Sequence, residues 1–163
     1  MANHFRTTGL IVALMSVLSL EAHACFAPPQ QSTESHDALV SRTSRIVLVE
    51  LVSASGGMSW WKTYEFSVFE ALKGEFEPVF SVGLPSPYLA SDDDYLQHSD
   101  PAFWQMMESR AVVGADCLVH ASFEVGATYL LFLDAPYHIH GFERIKGEDD
   151  QWLAWVRAQT VRQ

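Results

Sequence analysis

The chain has 163 residues, a formal net charge of −10, 48% hydrophobic residues and two cysteines. This length suits one domain with its own hydrophobic core. The acidic balance argues against nucleic acids and anionic membrane surfaces as partners, because both favour Lys and Arg. We therefore expect a single folded domain that does not bind nucleic acid.

The first 24 residues have the three parts of a secretory signal peptide. Arg6 supplies the basic start, residues 10–20 form an apolar stretch, and Ala22-His23-Ala24 matches a small-x-small cleavage site. The apolar stretch is shorter than the ~20 residues that span a bilayer, so we expect it to be removed rather than kept as an anchor. The sequence thus predicts a protein that is periplasmic or secreted, with a signal peptide at 1–24 and one domain at 25–163.

The two cysteines are Cys25, which would become the first residue after cleavage, and Cys117. In an oxidising compartment, two cysteines of one exported chain most economically form a single disulfide. The bond would tie the start of the mature chain to the segment that precedes an apolar strand at 128–133. Free or metal-bound thiols are the alternative. A lipoprotein signal also ends before a cysteine and would acylate the Cys25 amine, but it usually has an aliphatic residue where this chain has Ala22.

Five segments have the alternating or uniformly apolar composition of strands, rich in β-branched and aromatic residues: 45–53, 61–72, 79–82, 128–133 and 137–145. In the second segment the alternation slips at Phe69, which predicts a bulge or a sharp bend there. The fourth segment carries no charge and is apolar on both faces. We therefore expect it in the middle of a sheet or of a closed barrel.

Three helices are predicted from their start signals. Ser35 or Asp37 can cap a short helix early in the mature chain. Asp100, followed by a proline, starts a second helix within an irregular insertion at 86–116. A third helix is predicted at 151–159, after a turn that ends in two aspartates, and it has tryptophans at helical spacing on one side.

These elements fit a five-stranded OB-type Greek-key barrel with a helical insertion before strand four and a C-terminal helix. The motifs occur in a definite order: a cysteine followed by prolines at 25–29, a strand ending in FEALKG at 69–74, and a cysteine before FEVGATY at 123–129. Together they resemble the netrin-like module. More narrowly, the chain is similar to bacterial exported relatives of the tissue inhibitors of metalloproteinases.

The resemblance implies that the mature N-terminal cysteine is bonded to the cysteine before the F-x-x-G-x-x-Y strand, positions that match Cys25 and Cys117. In the animal inhibitors, the amine and carbonyl of the first cysteine bind the catalytic zinc of the target protease. An inhibitor of this kind would contact its target through Cys25, Phe26, Ala27 and Pro28. The animal proteins have a second cysteine where this chain has Ala27, so we expect the fold to transfer better than the activity.

A metal site is a further hypothesis. His138 and His140 are two residues apart in the last predicted strand, which would put both imidazoles on one face at a spacing that zinc or copper sites use. A third ligand would have to come from His98, His120 or the acidic run at 92–94. The alternative is a pair of partly exposed polar residues on an edge strand.

Two other features have a functional and a structural interpretation. Trp60, Trp61 and Trp104 could form an aromatic binding surface, because tryptophan is enriched at the energetic centres of interfaces. Packing in the core and in a hairpin is the alternative. The acidic run at 92–94 lacks the glycine and the spaced oxygens of an EF-hand loop, so we expect a solvated loop there.

The sequence contains no G-x-S-x-G motif and no phosphate-binding glycine loop. We therefore expect a non-catalytic exported binding module, a monomer without a cofactor, whose partner is another protein. A true zinc-metalloprotease inhibitor acting through the Cys25 amine is the first alternative. A periplasmic metal-binding protein that uses His138 and His140 is the second.

Overall fold

The computed structural model describes residues 34–56, 61–85, 98–105, 123–135 and 138–162. In chain order these ranges contain the helices and strands α1 (His36–Arg42), β1 (Ile46–Ser55), β2 (Trp61–Lys73), β3 (Val79–Pro85), α2 (Pro101–Trp104), β4 (Thr128–Phe132), β5 (Phe142–Ile145) and α3 (Gln151–Thr160). Within these ranges, none of the helices has the length and apolar composition needed to cross a bilayer.

The five strands form one antiparallel sheet in the order β3-β2-β1-β4-β5. The predicted mainly β class is therefore confirmed, and so are a helix before the fourth strand and a helix after the fifth. β4 is an interior strand as predicted, paired with β1 on one side and β5 on the other. The middle position belongs to β1. Over the described residues the sheet is open rather than closed into a barrel, because β3 and β5 are its two edges.

β2 contains the predicted bulge. Leu48 of β1 pairs with Glu70, whereas the next residue, Val49, pairs with Val68. Phe69 is therefore an extra residue on β2, and it is 57% exposed. A bulge of this kind bends its strand and increases the local twist, which explains why the sequence alternation slips at this position.

The sheet buries apolar side chains on both faces, because successive residues of a strand point in opposite directions. One face is covered by the three helices, and we call its residues the helix-covered core: Leu39, Val40, Ile46, Leu48, Phe103, Leu130, Phe132, Trp152, Leu153 and Val156 are its main members. On the other face, side chains of the strands pack on one another, and we call them the sheet-interior core: Val47, Val49, Leu51, Tyr64, Phe66, Tyr129, Leu131 and Phe142 are its main members.

The helix starts agree with the capping signals in the sequence. Ser35, Asp100 and Asp150 each accept hydrogen bonds from backbone N–H groups two or three residues later, at 2.8–3.2 Å. Ser35 rather than Asp37 is the cap of α1. These bonds satisfy N–H groups that have no partner inside the helix, and they fix where each helix begins.

Candidate functional site

Among the described residues, six titratable side chains come together within the helix-covered core: His36, His98, His138, His140, Glu143 and Asp150. They come from the start of α1, the segment before α2, the turns before β5, β5 itself and the N-cap of α3. All four histidines are less than 10% exposed. Buried ionisable groups are costly unless they are paired, so the contacts within this group decide its chemistry.

His98 lies between two carboxylates. Its Nδ1 is 2.7 Å from both carboxylate oxygens of Asp150, and its Nε2 is 3.6 Å from Oε2 of Glu143. An imidazole that carries protons on both nitrogens matches both neighbours. Burial acts to lower the pKa of His98, but the hydrogen bonds and charges of the two carboxylates outweigh it and raise that pKa above 6.5. Burial acts to raise the pKa of Asp150, and the hydrogen bond from His98 is the main influence that lowers it instead.

Glu143 continues the network toward the N-terminal side of β5. One of its oxygens accepts a hydrogen bond from Nδ1 of His140. The backbone N–H of His140 donates to Nδ1 of His138 at 3.0 Å, and Nε2 of His138 lies 3.0 Å from the carbonyl oxygen of Glu34. The His138 ring therefore accepts at one nitrogen and donates at the other, which is the neutral form. Burial lowers the pKa of His138 to about 4.

His36 is surrounded by aromatic rings rather than by charges. Its ring centroid lies 4.8 Å from that of Trp152 and 5.3 Å from that of Phe103, with Trp104 and Trp155 within 5.9 Å. In the described part of the structure its Nε2 is buried without a hydrogen-bond partner. Burial, together with the nearby His140 and His138, lowers the pKa of His36 to about 4. At neutral pH this side chain is an uncharged ring in an aromatic cluster.

The two histidines singled out as metal ligands lie close together, with ring centroids 5.8 Å apart, but not on a strand. β5 begins at Phe142, so the predicted strand at 137–145 is wrong at 138–141. Consecutive turns replace it, in which the N–H of His138 bonds to the carbonyl of Ala135 and the N–H of Gly141 bonds to that of His138. The partly exposed edge position that was the alternative is also wrong, because both rings are buried.

No group of three or more His, Cys, Asp or Glu side chains in the described ranges is placed to hold a metal ion. Both ring nitrogens of His138 already have partners, and Nδ1 of His140 is bonded to Glu143. His120 and the acidic run at 92–94 lie outside the described residues, and the metal hypothesis for His138 and His140 stays a prediction.

Two of the three tryptophans of the proposed aromatic surface lie in described segments. Trp104 is half-buried in the helix-covered core, and its Nε1 donates to the backbone carbonyl of His98 at 2.6 Å. This is the packing role that was the alternative. Trp61 is 44% exposed and lies over Gly83, where an added Cβ would come within 2.6 Å of the indole nitrogen. Trp60 is outside the described residues.

Sequence reasoning named His98 only as a candidate metal ligand and Asp150 only as part of a helix cap, and it did not identify His36 or Glu143. The paired residues are far apart in the chain: 52 positions separate His98 from Asp150. The available signal was weak. His36 and His98 each stand between polar residues in the sequence, so no local pattern indicated their burial or named their partners.

The residues of the predicted inhibitory N-terminus and of the predicted disulfide lie outside the described ranges: Cys25, Phe26, Ala27, Pro28 and Cys117. The disulfide, the inhibitory N-terminus and the signal peptide therefore stay predictions. Neither a protein-family model nor a curated protein matches this chain.

Proposed function

We propose that the protein is an exported, non-catalytic binding module on a netrin-like framework, with another protein as its partner. The strand order is the observation that carries this proposal. All neighbouring strands in β3-β2-β1-β4-β5 are antiparallel, so the two edge strands run in the same direction. The OB-type barrel is a five-stranded, partly open Greek key, and pairing of β3 with β5 would close this sheet into such a barrel.

The contacts of the titratable cluster favour a binding module over an enzyme. Asp150, His98, Glu143 and His140 follow one another in a chain of side-chain contacts. A general acid or base must come within hydrogen-bond distance of a substrate atom. Here the candidate groups are buried and bonded to one another, which is the arrangement expected of an internal structural network.

One observation favours the first alternative, a zinc-protease inhibitor acting through the Cys25 amine. Glu34 is held firmly, since its carbonyl is bonded to His138 and its carboxylate pairs with Arg42. Only five residues separate Pro28 from this fixed point. If the chain is an inhibitor, a short tether of this kind would help to preorganise its binding segment, and preorganisation increases affinity.

Intact-mass spectrometry of the exported protein tests the proposed N-terminus. We expect the mass of residues 25–163 with one disulfide, and no alkylation by iodoacetamide until the protein is reduced. A mass increased by acyl groups would contradict a free Cys25 amine. Two thiols that react without reduction would contradict the disulfide between Cys25 and Cys117.

The netrin-like framework is tested by amide proton contacts in solution. Nuclear Overhauser effects between β3 and β5 are expected if the barrel closes, and those between β1 and β4 provide the internal control. Strong β1–β4 contacts without any between β3 and β5 would contradict an OB-type barrel. This result would leave the exported binding module without its proposed framework.

The choice between binding module and inhibitor is tested with two forms of the protein, one starting at Cys25 and one retaining Ala24, against a panel of zinc endopeptidases. An α-amine has a pKa of about 7.7–8.0 and is partly neutral near pH 7, so it can bind zinc, whereas an amide is a poor ligand. Because Ala27 replaces the second cysteine, we expect neither form to inhibit at micromolar concentration.

Inhibition by the mature form that is much weaker in the extended form would establish the inhibitor instead. Each ~1.4 kcal/mol of binding free energy lost with the amine would raise the inhibition constant tenfold. Equal inhibition by both forms would mean that the chain is an inhibitor that does not use its amine. Capture of a stoichiometric partner from the native exported fraction, with no turnover of that partner, is the positive result expected of the binding module.

A further inference from the structure

We infer that His98 is a proton-controlled clasp: as an imidazolium it holds residues 98–105 against β5 and α3, and loss of its proton releases that segment. The inference rests on the contacts of the described residues and holds whether or not the proposed function is correct. It concerns the segment between β3 and β4 that covers part of the helix-covered core.

The segment has little stability of its own. α2 is one turn of four residues, and short helices depend on tertiary contacts because nucleation is unfavourable. Phe103 is fully buried, with its ring centroid 4.2 Å from that of His140 and 5.3 Å from that of Trp152. If the segment leaves, the rings of His140 and Trp152 lose their cover, and its own Phe103 and Trp104 lose their packing partners. The position of residues 98–105 therefore depends on the few groups that anchor them.

His98 is the polar anchor that joins the segment to two other elements. Asp150 belongs to the start of α3, where it also caps the helix through the N–H groups of Trp152 and Leu153. Glu143 belongs to β5. A charged His98 makes an ionised hydrogen bond to Asp150, about twice as strong as a neutral one, and an ion pair with Glu143 at 3.6 Å. It therefore ties the segment to both elements at once.

The neutral ring cannot satisfy both carboxylates. A neutral imidazole donates from one nitrogen and presents a lone pair on the other. If the proton stays on Nδ1 toward Asp150, the lone pair on Nε2 faces the carboxylate of Glu143, 3.6 Å away. Loss of the proton thus replaces an attraction with a repulsion on one side of the ring. The segment loses its link to β5 first.

The groups around His98 set the direction of this response. Asp150 from α3 and Glu143 from β5 face it directly, His140 from the preceding turns adds a hydrogen bond to Glu143, and His36 from α1 lies across the ring of Phe103. The carboxylates raise the pKa of His98 above 6.5, so its stabilising effect is complete below pH 6.5 and is lost as pH rises through the folded-state value. The pKa of His36 is about 4, so His36 stays neutral over this range.

Trp104 provides a direct reporter of the clasp, because its indole N–H donates to the backbone carbonyl of His98. In ¹H–¹⁵N spectra of the full exported protein, recorded in EDTA, Trp104→Phe identifies this signal. We expect the His98 ring, the Trp104 indole signal and the amides of 98–105 to change together, with a midpoint above pH 6.5. Signals of β1 and β4 should stay in place. A His98 ring that titrates below 6.5, or segment signals that do not follow it, would overturn the proposal.

His98→Gln sharpens the test, since a glutamine can donate to one carboxylate but carries no charge. We expect the alkaline step to disappear and the hydrogen-exchange protection of 98–105 at pH 6 to fall by about tenfold or more. His36→Phe is the matched control and should keep the step. A step that persists in His98→Gln would contradict the clasp. If this variant does not fold, the titration of the unsubstituted protein decides the question.

Discussion

The two faces of the sheet bury similar strand side chains but differ in what accompanies them. In the sheet-interior core, the ionisable residues are the tyrosines Tyr64 and Tyr129. Burial raises the pKa of Tyr64 above 10, so this side chain is neutral under ordinary conditions. The helix-covered core includes four histidines and two carboxylates beside its apolar residues. Burial of charge is favourable only with well-matched partners. The first face therefore has a stability that is independent of pH near neutrality, and the second has a stability that depends on protonation.

The difference follows from how each face is assembled. The sheet-interior core is built from strands that already pair with one another, so apolar side chains suffice to fill it. The helix-covered core must hold α1, α3 and the segment 98–105 with α2, which come from distant parts of the chain. Directional contacts such as those of His98 and His138 specify the position of each piece. Their cost is a sensitivity to pH that the other face lacks.

The largest expected effect comes from removing packing on either face. Leu130 and Leu131 are neighbours in β4, are at most 1% exposed, and belong to the helix-covered and sheet-interior cores respectively. Leu130→Ala and Leu131→Ala should each lower the free energy of unfolding by about 2–5 kcal/mol. Urea melts at pH 7 measure this, with Val161→Ala as the control at an 87% exposed position, where a change within about 0.5 kcal/mol is expected. A small effect of either leucine would mean that its face is not a core.

An acid titration separates the two faces. The pKa values of His36 and His138 are about 4 in the folded protein and near 6.5 when exposed, so the unfolded chain takes up protons first as pH falls. The free energy of unfolding should therefore fall between pH 6.5 and 4, by up to ~3 kcal/mol per histidine. Asp150, whose folded pKa is lowered, adds its own loss only below about pH 3.8.

Two variants check the origin of this acid effect in urea melts between pH 6.5 and 4.5, where the stabilising effect of His98 is already complete. His36→Phe keeps a ring in the aromatic cluster but cannot take up a proton, and it should remove about half of the pH dependence. Leu131→Ala should lower stability by the same amount at every pH, because its surroundings do not titrate in this range. An unchanged pH dependence in His36→Phe would contradict the assignment to the helix-covered core.

The smallest effect is expected from the ion pairs at the rim of α3. Arg157 lies 2.6 Å from an oxygen of Glu70 and 3.0 Å from one of Glu148, but these side chains are 32%, 40% and 81% exposed. Solvent screens such pairs, which contribute about 0–1 kcal/mol. A double-mutant cycle of Arg157→Met and Glu70→Gln should give a coupling in this range that shrinks in 1 M salt. A coupling well above it would mean that α3 is held by charge rather than by packing.

The sequence alone determined the features that depend on residues a few positions apart. Asp100 could be recognised as a helix cap and the turn at 147–150 as the start of α3, because a cap and the N–H groups that it binds are neighbours in the chain. The bulge at Phe69 was visible as a slip in a two-residue alternation. The apolar character of β4 on both faces predicted an interior strand. In each case the local pattern contains both partners of the interaction.

Only the tertiary structure decided the open sheet, the turns before β5 and the cluster around His98. Whether 137–145 forms a strand depends on the pairing with β4, and there the chain makes consecutive turns that end at Gly141 instead. The protonation state of a histidine depends on burial and on partners up to 104 residues away. His138 is neutral, whereas the two carboxylates beside His98 favour its charged form. Contacts between distant positions leave no local trace in the sequence, because folding alone brings those groups within hydrogen-bond distance.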